Sequence, residues 1–202
     1  MAKKNRVAHH KAMPFPKVGE FLAKLRGTPG IASRCLEFTI LTAARTNEAT
    51  QAKPEEFDLD NATWTIPGSR MKAKKEHRVP LSPRALEIVR ELLNLKEDFL
   101  FPGAKRGKPI SNMAMLTLLE RMDVDATTHG FRSSFRDWAA ERTSFPHEVC
   151  EMALAHTISN AAEAAYRRGD LFEKRRKLME AWAEFLNTQH LEGAVIPMRN
   201  AA

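Results

Sequence analysis

The sequence predicts an α+β domain that is mainly α-helical and carries one small antiparallel sheet. Three observations lead there. Apolar residues recur at helical spacing through most of the chain, as in Val18, Phe21, Leu22 and Leu25. From Phe57 the period changes, and residues 62–67 and 77–81 alternate as strands do. The 202 residues suffice for one large core, with no internal repeat, low-complexity tract or linker to divide them.

Composition narrows the class. Hydrophobic residues make up 43% and charged residues 28%, ordinary proportions for a soluble globular chain. No run of about 18 apolar residues exists, so no membrane span is expected. The basic start, Met-Ala-Lys-Lys-Asn-Arg, is not followed by the apolar stretch of a secretory signal. Cys35 and Cys150 stand alone in apolar, helix-like surroundings, which suggests neither a disulfide framework nor a zinc cluster; a reducing, cytoplasmic setting is expected. A net charge of +7 and a pI near 9.6 point to a polyanionic partner, since a basic protein gains affinity for nucleic acid by releasing condensed counterions.

Taken in order, residues 1–15 read as a flexible basic lead-in whose histidine pair, His9 and His10, is solvated. A first helix follows and stops at Gly27. Residues 31–45 read as a second helix, apolar on most sides and therefore central. Arg45 stands where that helix gives out, three residues before Glu48; the pair is either a surface ion pair or an arginine oriented at the rim of the core. Between the two strands lie Arg70, Lys72, Lys74 and Lys75, a cationic hairpin. If extended, it presents Arg70, Lys72 and Lys74 on one face; the other reading is a sheet edge protected by lysines.

Ser82-Pro83 gives a cap and a proline at the first helical position, opening a helix that buries Leu86, Val89, Leu92 and Leu93. A basic, Gly-containing loop spans residues 102–109. Asn112 can cap the next helix, with Met115, Leu118, Leu119 and Met122 on its apolar side. In the helix after it, Phe131, Phe135 and Trp138 face the core while His129, Arg132 and Arg136 fall elsewhere. His129 and Arg132, one turn apart at a helix start, form a candidate anion site.

Residues 146–155 form another helix ending at His156, and Asn160 can cap a short helix bearing Tyr166. Asp170 with Glu173 resembles a capping box before a last basic helix, whose apolar side holds Leu178, Trp182 and Phe185. That side either packs within the chain or docks on a neighbouring copy. Residues 188–202 read as a tail, which leaves 16–187 as the domain.

Tyr166 is the single tyrosine in a chain with eleven phenylalanines, flanked by small residues and followed by Arg167 and Arg168. A phenol among cations is a candidate nucleophile, because positive charge favours phenolate. With Arg45, Lys72, His129, Arg132 and His156 it makes a set suited to phosphoryl transfer without a metal ion. Two guanidiniums can hold non-bridging oxygens, a histidine can take the phenol proton, and a lysine can protonate a departing alkoxide.

In this order and spacing, the six residues resemble the active site of the tyrosine recombinases of the phage integrase family, and the wording is most similar to integrases of P4-like prophages and genomic islands. The matching segments are Leu-Thr-Ala-Ala-Arg-Thr-Asn-Glu, Arg-Met-Lys-Ala-Lys-Lys-Glu-His-Arg-Val-Pro-Leu-Ser, His-Gly-Phe-Arg-Ser-Ser-Phe-Arg-Asp-Trp and Leu-Ala-His…Ala-Tyr-Arg-Arg. The likeness covers about residues 10–187.

It implies the recombinase catalytic fold with a three-stranded antiparallel sheet, and a site-specific integrase acting on double-stranded DNA at attachment sites without metal, ATP or another cofactor. Arg45 and Arg132 would clamp the scissile phosphate. Lys72 would be the general acid, with Lys74 and Lys75 as adjacent alternatives. His129 would be the general base, His156 would hydrogen-bond a phosphate oxygen, and Tyr166 would attack to leave a 3′-phosphotyrosyl enzyme.

The resemblance also implies a bacterial, nucleoid-associated protein, monomeric as an isolated domain and tetrameric on DNA at full length. The family's usual upstream DNA-binding domains are not in these 202 residues, so an isolated catalytic domain with weak, salt-sensitive DNA binding is expected. Pro54 stands where members commonly carry tryptophan, and local packing should differ there. The rival readings are type IB topoisomerase-like DNA relaxation, a non-catalytic DNA-binding remnant of the same fold, and a metal-dependent nuclease or transposase using Asp58, Asp60, Asp123 and Asp125.

Overall fold

A computed structural model describes residues 10–156 and 169–188. The described elements run α1 (Phe15–Arg26), α2 (Ile31–Thr42), α3 (Thr46–Thr50), β1 (Phe57–Asp58), β2 (Thr63–Ile66), β3 (His77–Pro80), α4 (Pro83–Leu93), α5 (Ala114–Arg121), α6 (Gly130–Arg142), α7 (His147–Ala153) and α8 (Phe172–Thr188). The sheet is antiparallel in the order β1-β2-β3, with Trp64 opposite both Phe57 and Val79. The domain is thus helical with one small sheet, as the residue pattern predicts.

α2 is the axis. Leu36, Phe38, Ile40 and Leu41 are at most 1% exposed, and the helix packs on α1, α4, α5 and α8. Each such side chain contributes roughly 1.5–3 kcal/mol by leaving water. One buried charge interrupts the apolar surface. Glu37 is fully buried and accepts from Arg26 Nε at 2.6 Å and from Arg84 Nε and Nη2 at 2.9 and 3.0 Å, so α1 and α4 are tied to α2 through one carboxylate. Burial pushes that carboxyl up, but the hydrogen bonds and charges of Arg84 and Arg26 outweigh it and hold the net pKa below its ordinary value.

Helix ends follow the sequence where a cap is local. Ser82 Oγ accepts from Ala85 N at 3.4 Å to open α4, with Pro83 at the first position. α5 starts without a side-chain cap, contrary to expectation: Asn112 Oδ1 accepts from Thr50 Oγ1 and joins α3 to this segment, while Ser111 Oγ accepts from Met113 N in the turn before the helix. Pro54 opens a 3-10 turn, Pro54–Glu56, that brings Glu56 under the sheet. α2 also stops earlier than residue 45; Arg45 precedes α3 instead of ending α2.

α8 lies on α1, α2, α7 and β3. Leu178 and Trp182 are fully buried in this chain, and the Trp182 indole donates to Ile40 O at 2.9 Å. Phe185, half-buried, stacks on Trp182 at 14° between ring planes. The apolar side of α8 is therefore spent inside its own domain, which removes the idea that it docks on a neighbour. The lead-in also differs from expectation at residues 10–14. Lys11 O accepts from Thr127 N at 2.9 Å, and Met13 O accepts from Ser134 Oγ, so this stretch is fastened across the start of α6. Among the described residues, no helix is long and apolar enough to cross a membrane.

Candidate active site

Two helix ends build the site. α2 terminates at Ala43 with φ 50°, and the turn after α7 ends at Ala155 with φ 49°. A left-handed non-glycine residue costs roughly 1–2 kcal/mol, and here each turns a carbonyl towards a guanidinium. Ala43 O accepts from Arg132 Nη1, and Ala155 O accepts from Arg45 Nη2 at 3.1 Å. Leu154 O takes a second bond from Arg132 Nη2 at 2.6 Å. Arg132, one turn into α6, is 5% exposed. Its burial and the charge of Arg45 push its pKa down to about 10, which leaves it charged at neutral pH.

Arg45 has a second anchor. Glu48, 5% exposed, accepts from the Arg45 backbone N at 2.9 Å and from Nη1 at 2.7 Å. The pair is an oriented arginine at the rim of the core, the second of the two readings open from the sequence. Held in this way, each guanidinium is fixed in plane while donors remain for a ligand.

His156 stands beside Arg132, with Nε2 3.3 Å from Arg132 Nη2 and Nδ1 2.8 Å from Glu151 Oε2. His129 precedes α6, and its ring lies 4.5 Å, centroid to centroid, from that of His10. Desolvation and the positive charge of Arg132, His10, Arg45 and His156 hold the His129 pKa below its ordinary value, so its neutral form is favoured near pH 7. Gly130 follows because the lead-in crosses there: a Cβ on residue 130 would sit 2.0 Å from Lys11 O.

Lys72 is exposed and borders an open cavity of about 580 Å³ together with Arg45, Glu48, Arg70, Lys74 and His129. The lysine segment is not extended. Met71 N bonds Gly68 O, Lys74 N bonds Met71 O, and Lys74 has φ 56°, so two consecutive turns replace a strand. Arg70 accordingly leaves the cationic face. Its Nε and Nη2 bond Glu56 Oε1 and Oε2 at 2.9 and 2.6 Å, and Nη1 bonds Glu48 O at 3.2 Å. The Trp64 indole donates to the same Glu56 at 2.9 Å. This buried group fastens the base of the lysine turn to the element holding Arg45. In the sequence Arg70 is one cation among the lysines and Glu56 carries no motif; the signal for their pairing is the tryptophan on β2, whose N–H needs an acceptor when buried.

The structure thus gathers five of the six sequence-predicted residues: Arg45, Lys72 and His129 border one cavity, Arg132 and His156 touch, and Ala155 joins Arg45 to the His156 turn. Tyr166, with Asn160 and the short helix expected between them, lies outside the described residues. The described chain resumes at Gly169, and Asp170 is bound there by Arg175 at 2.9 Å and Arg78 at 3.1 Å. Asp170 Oδ1 accepts from Phe172 N at 3.2 Å and not from Glu173 N as the expected capping box requires, while Glu173 pairs with Arg176 at 3.5 Å. Two of the four aspartates of the nuclease reading are otherwise occupied: Asp58 accepts from Asp60 N and Asn61 N in a turn, and Asp125 pairs with Lys11. Among the described residues, no three of His, Cys, Asp or Glu are grouped to hold a metal ion.

The model of the phage integrase family matches residues 18–170. The chain belongs to the phage integrase family. Within it, the chain is a P4-like tyrosine recombinase sequence. It is 35% identical over 162 residues to prophage integrase IntA of Escherichia coli (strain K12), an alignment covering 77% of this chain and 39% of that protein. It is 32% identical over 201 residues to the integrase of Enterobacteria phage P4, covering 89% and 46%. The chain therefore spans less than half the length of these curated relatives.

Among solved structures it resembles an integrase from mycobacterium phage Brujita, with a TM-score of 0.64 at 19% identity over 93% of this chain and 65% of that one. It also resembles the XerH site-specific recombinase bound to its difH substrate in a pre-cleavage complex, with a TM-score of 0.60 at 21% identity over 83% and 53%. At such identities the likeness is one of fold, and it places the helical domain with its small sheet among the integrase and recombinase structures.

Proposed function

We propose that this chain is the catalytic part of a site-specific DNA recombinase, an integrase that cuts and rejoins double-stranded DNA through a 3′-phosphotyrosyl intermediate. The observation that carries this reading is the pair of guanidiniums, Arg45 and Arg132, each tied to the carbonyl of a left-handed alanine and flanked by His156, with His129 and Lys72 on the adjoining cavity. Two fixed guanidiniums, close enough for the charge of Arg45 to lower the Arg132 pKa, suit a pentacoordinate phosphorus, whose extra negative charge exists only in the transition state.

In the step itself, Tyr166 Oη attacks phosphorus and the bond from phosphorus to the 5′-oxygen breaks. His129 takes the phenol proton, which its depressed pKa allows near neutrality. Lys72 Nζ gives a proton to the departing 5′-oxygen. Arg45, Arg132 and His156 hold the non-bridging oxygens. The phosphotyrosyl bond keeps the energy of the phosphodiester, so a 5′-hydroxyl from another strand can reverse the step and complete the exchange. The roles follow the family resemblance, and Tyr166 enters by its sequence match alone.

Outside the site, Gly103 N bonds Lys108 O at 2.8 Å and closes the loop that presents Lys105, Arg106 and Lys108. With the net charge of +7, this supports double-stranded DNA as the partner. A full-length protein with further DNA-binding domains would assemble as a tetramer on DNA, in the cytoplasm near the nucleoid. The non-catalytic alternative is disfavoured by the complete set of six residues.

The test is incubation with a nicked suicide DNA duplex in EDTA. A covalent protein–DNA adduct stable to denaturant is expected and should vanish with Tyr166→Phe. An adduct that survives that substitution, or one that needs magnesium, would sink the proposal.

A further inference from the structure

A carboxylate with no role in the reading above stands behind His156. Glu151, on α7, is tied to residue 156 twice: its backbone oxygen accepts from His156 N at 3.0 Å, and its side-chain Oε2 lies 2.8 Å from His156 Nδ1. The other oxygen, Oε1, accepts from Arg136 Nε at 2.6 Å, and His147 Nε2 stands 3.7 Å from it. Burial pushes the Glu151 carboxyl up, but hydrogen bonds from His156 and Arg136 and their charges prevail, holding its net pKa below its ordinary value. At neutral pH it is a carboxylate, which accepts hydrogen bonds and donates none.

The two partners of His156 then fix its chemistry. Nδ1 faces an acceptor and therefore carries hydrogen. Nε2 faces Arg132 Nη2, which only donates, so in the neutral ring Nε2 presents its lone pair. When a phosphate oxygen lies beside Arg132 and the ring is protonated, Nε2–H is the group left to point at it. A histidine without the Glu151 contact could put hydrogen on either nitrogen and turn about its side-chain torsions.

We propose that Glu151 is a positioning residue acting through His156: it sets which ring nitrogen faces solvent-side phosphate and holds that nitrogen beside Arg132. Arg136 in turn holds Glu151, joining α6 to α7 behind the site. The proposal rests on reading the Arg45–Arg132–His156 group as a phosphodiester site. Its structural half, the orientation of the ring, stands apart from any reaction and can be read separately.

The test has two arms. In the first, the chain labelled with 15N-histidine is observed without DNA at pH 8, and His156 is assigned by its loss in His156→Asn. The Nδ1–H tautomer is expected in the parent, retained in Glu151→Gln, whose amide oxygen still accepts, and replaced by a tautomer mixture in Glu151→Ala. An Nε2–H ring in the parent overturns the proposal.

In the second arm, the single-turnover rate of adduct formation is measured in a double-mutant cycle. Glu151→Ala should slow the parent roughly tenfold, as loss of a ligand-orienting partner does, and slow the His156→Ala background by less than about twofold. An equal loss in both backgrounds means a merely structural role and overturns the proposal. A parent that shows the Nδ1–H form but no adduct on DNA would count against strand transfer, while the Glu151–His156 orientation would be upheld.

Discussion

His77 gives the fold a pH dependence that can be worked out from its surroundings. It begins β3, opposite Ile66, and burial together with the charges of Arg175, Arg45 and Arg132 lowers its pKa to about 4, against the opposing effect of Glu48. The ordinary value, 6.5, applies once the chain unfolds. Between those limits the unfolded chain binds a proton that the folded chain refuses, so stability falls as pH drops from about 6.5 to about 4. The full difference is about 3 kcal/mol, and about 2 kcal/mol of it has gone by pH 5.

The perturbation is His77→Gln, which stays neutral throughout. Urea unfolding at pH 7.5, 6 and 5 should show the parent losing stability more steeply than the variant, the gap widening by about 2 kcal/mol over that range. Parallel pH dependences, within about 0.5 kcal/mol, would refute the claim that His77 is held neutral.

Three further outcomes follow from the same geometry. Glu37→Ala should cost about 3–5 kcal/mol in urea unfolding, because Arg26 and Arg84 are left partly buried without their carboxylate; a loss under 1 kcal/mol would contradict the hub. Because the folded pKa of Glu37 is depressed, its contribution is fully present above the ordinary carboxylate value and should be lost progressively as pH falls from there through the folded value. Gly130→Ala should loosen residues 10–14 and cost about 1–3 kcal/mol, seen as faster tryptic cleavage after Lys11; unchanged cleavage would show that the close approach to Lys11 O is not needed. DNA binding by this chain should be weak and should fall steeply between 50 and 200 mM salt, whereas nanomolar sequence-specific binding at physiological salt would overturn the view that tight binding needs further DNA-binding domains.

Much of this was legible because it is local. Periodicity placed the helices, alternation placed β2 and β3, and Ser82-Pro83 marked the start of α4. All six site residues follow from motif order and the family resemblance, and the five within the described residues lie close together. What escaped was set by contacts distant in sequence or by backbone strain. Arg70 reads as one more cation of a lysine-rich turn until Glu56 and Trp64 are brought beneath it. Asn112 has the chemistry of a helix cap, yet Thr50 claims its side chain and α5 starts without a side-chain cap. Ala43 and Ala155 give no sign in sequence that they adopt left-handed conformations, since alanine is a helix former by propensity. The lead-in reads as flexible because it is basic and irregular, but its carbonyls at Lys11 and Met13 are acceptors that α6 and the turn before it use.

The central claim is that Tyr166 becomes joined to DNA through the phosphate held by Arg45 and Arg132. The most direct measurement is proteolysis of the trapped adduct followed by mass spectrometry of the nucleotide-bearing peptide. A 3′-phosphate linked to Tyr166 and a free 5′-hydroxyl on the released strand are expected. A link to any other side chain, or a 5′-phosphate on the released strand, would contradict it.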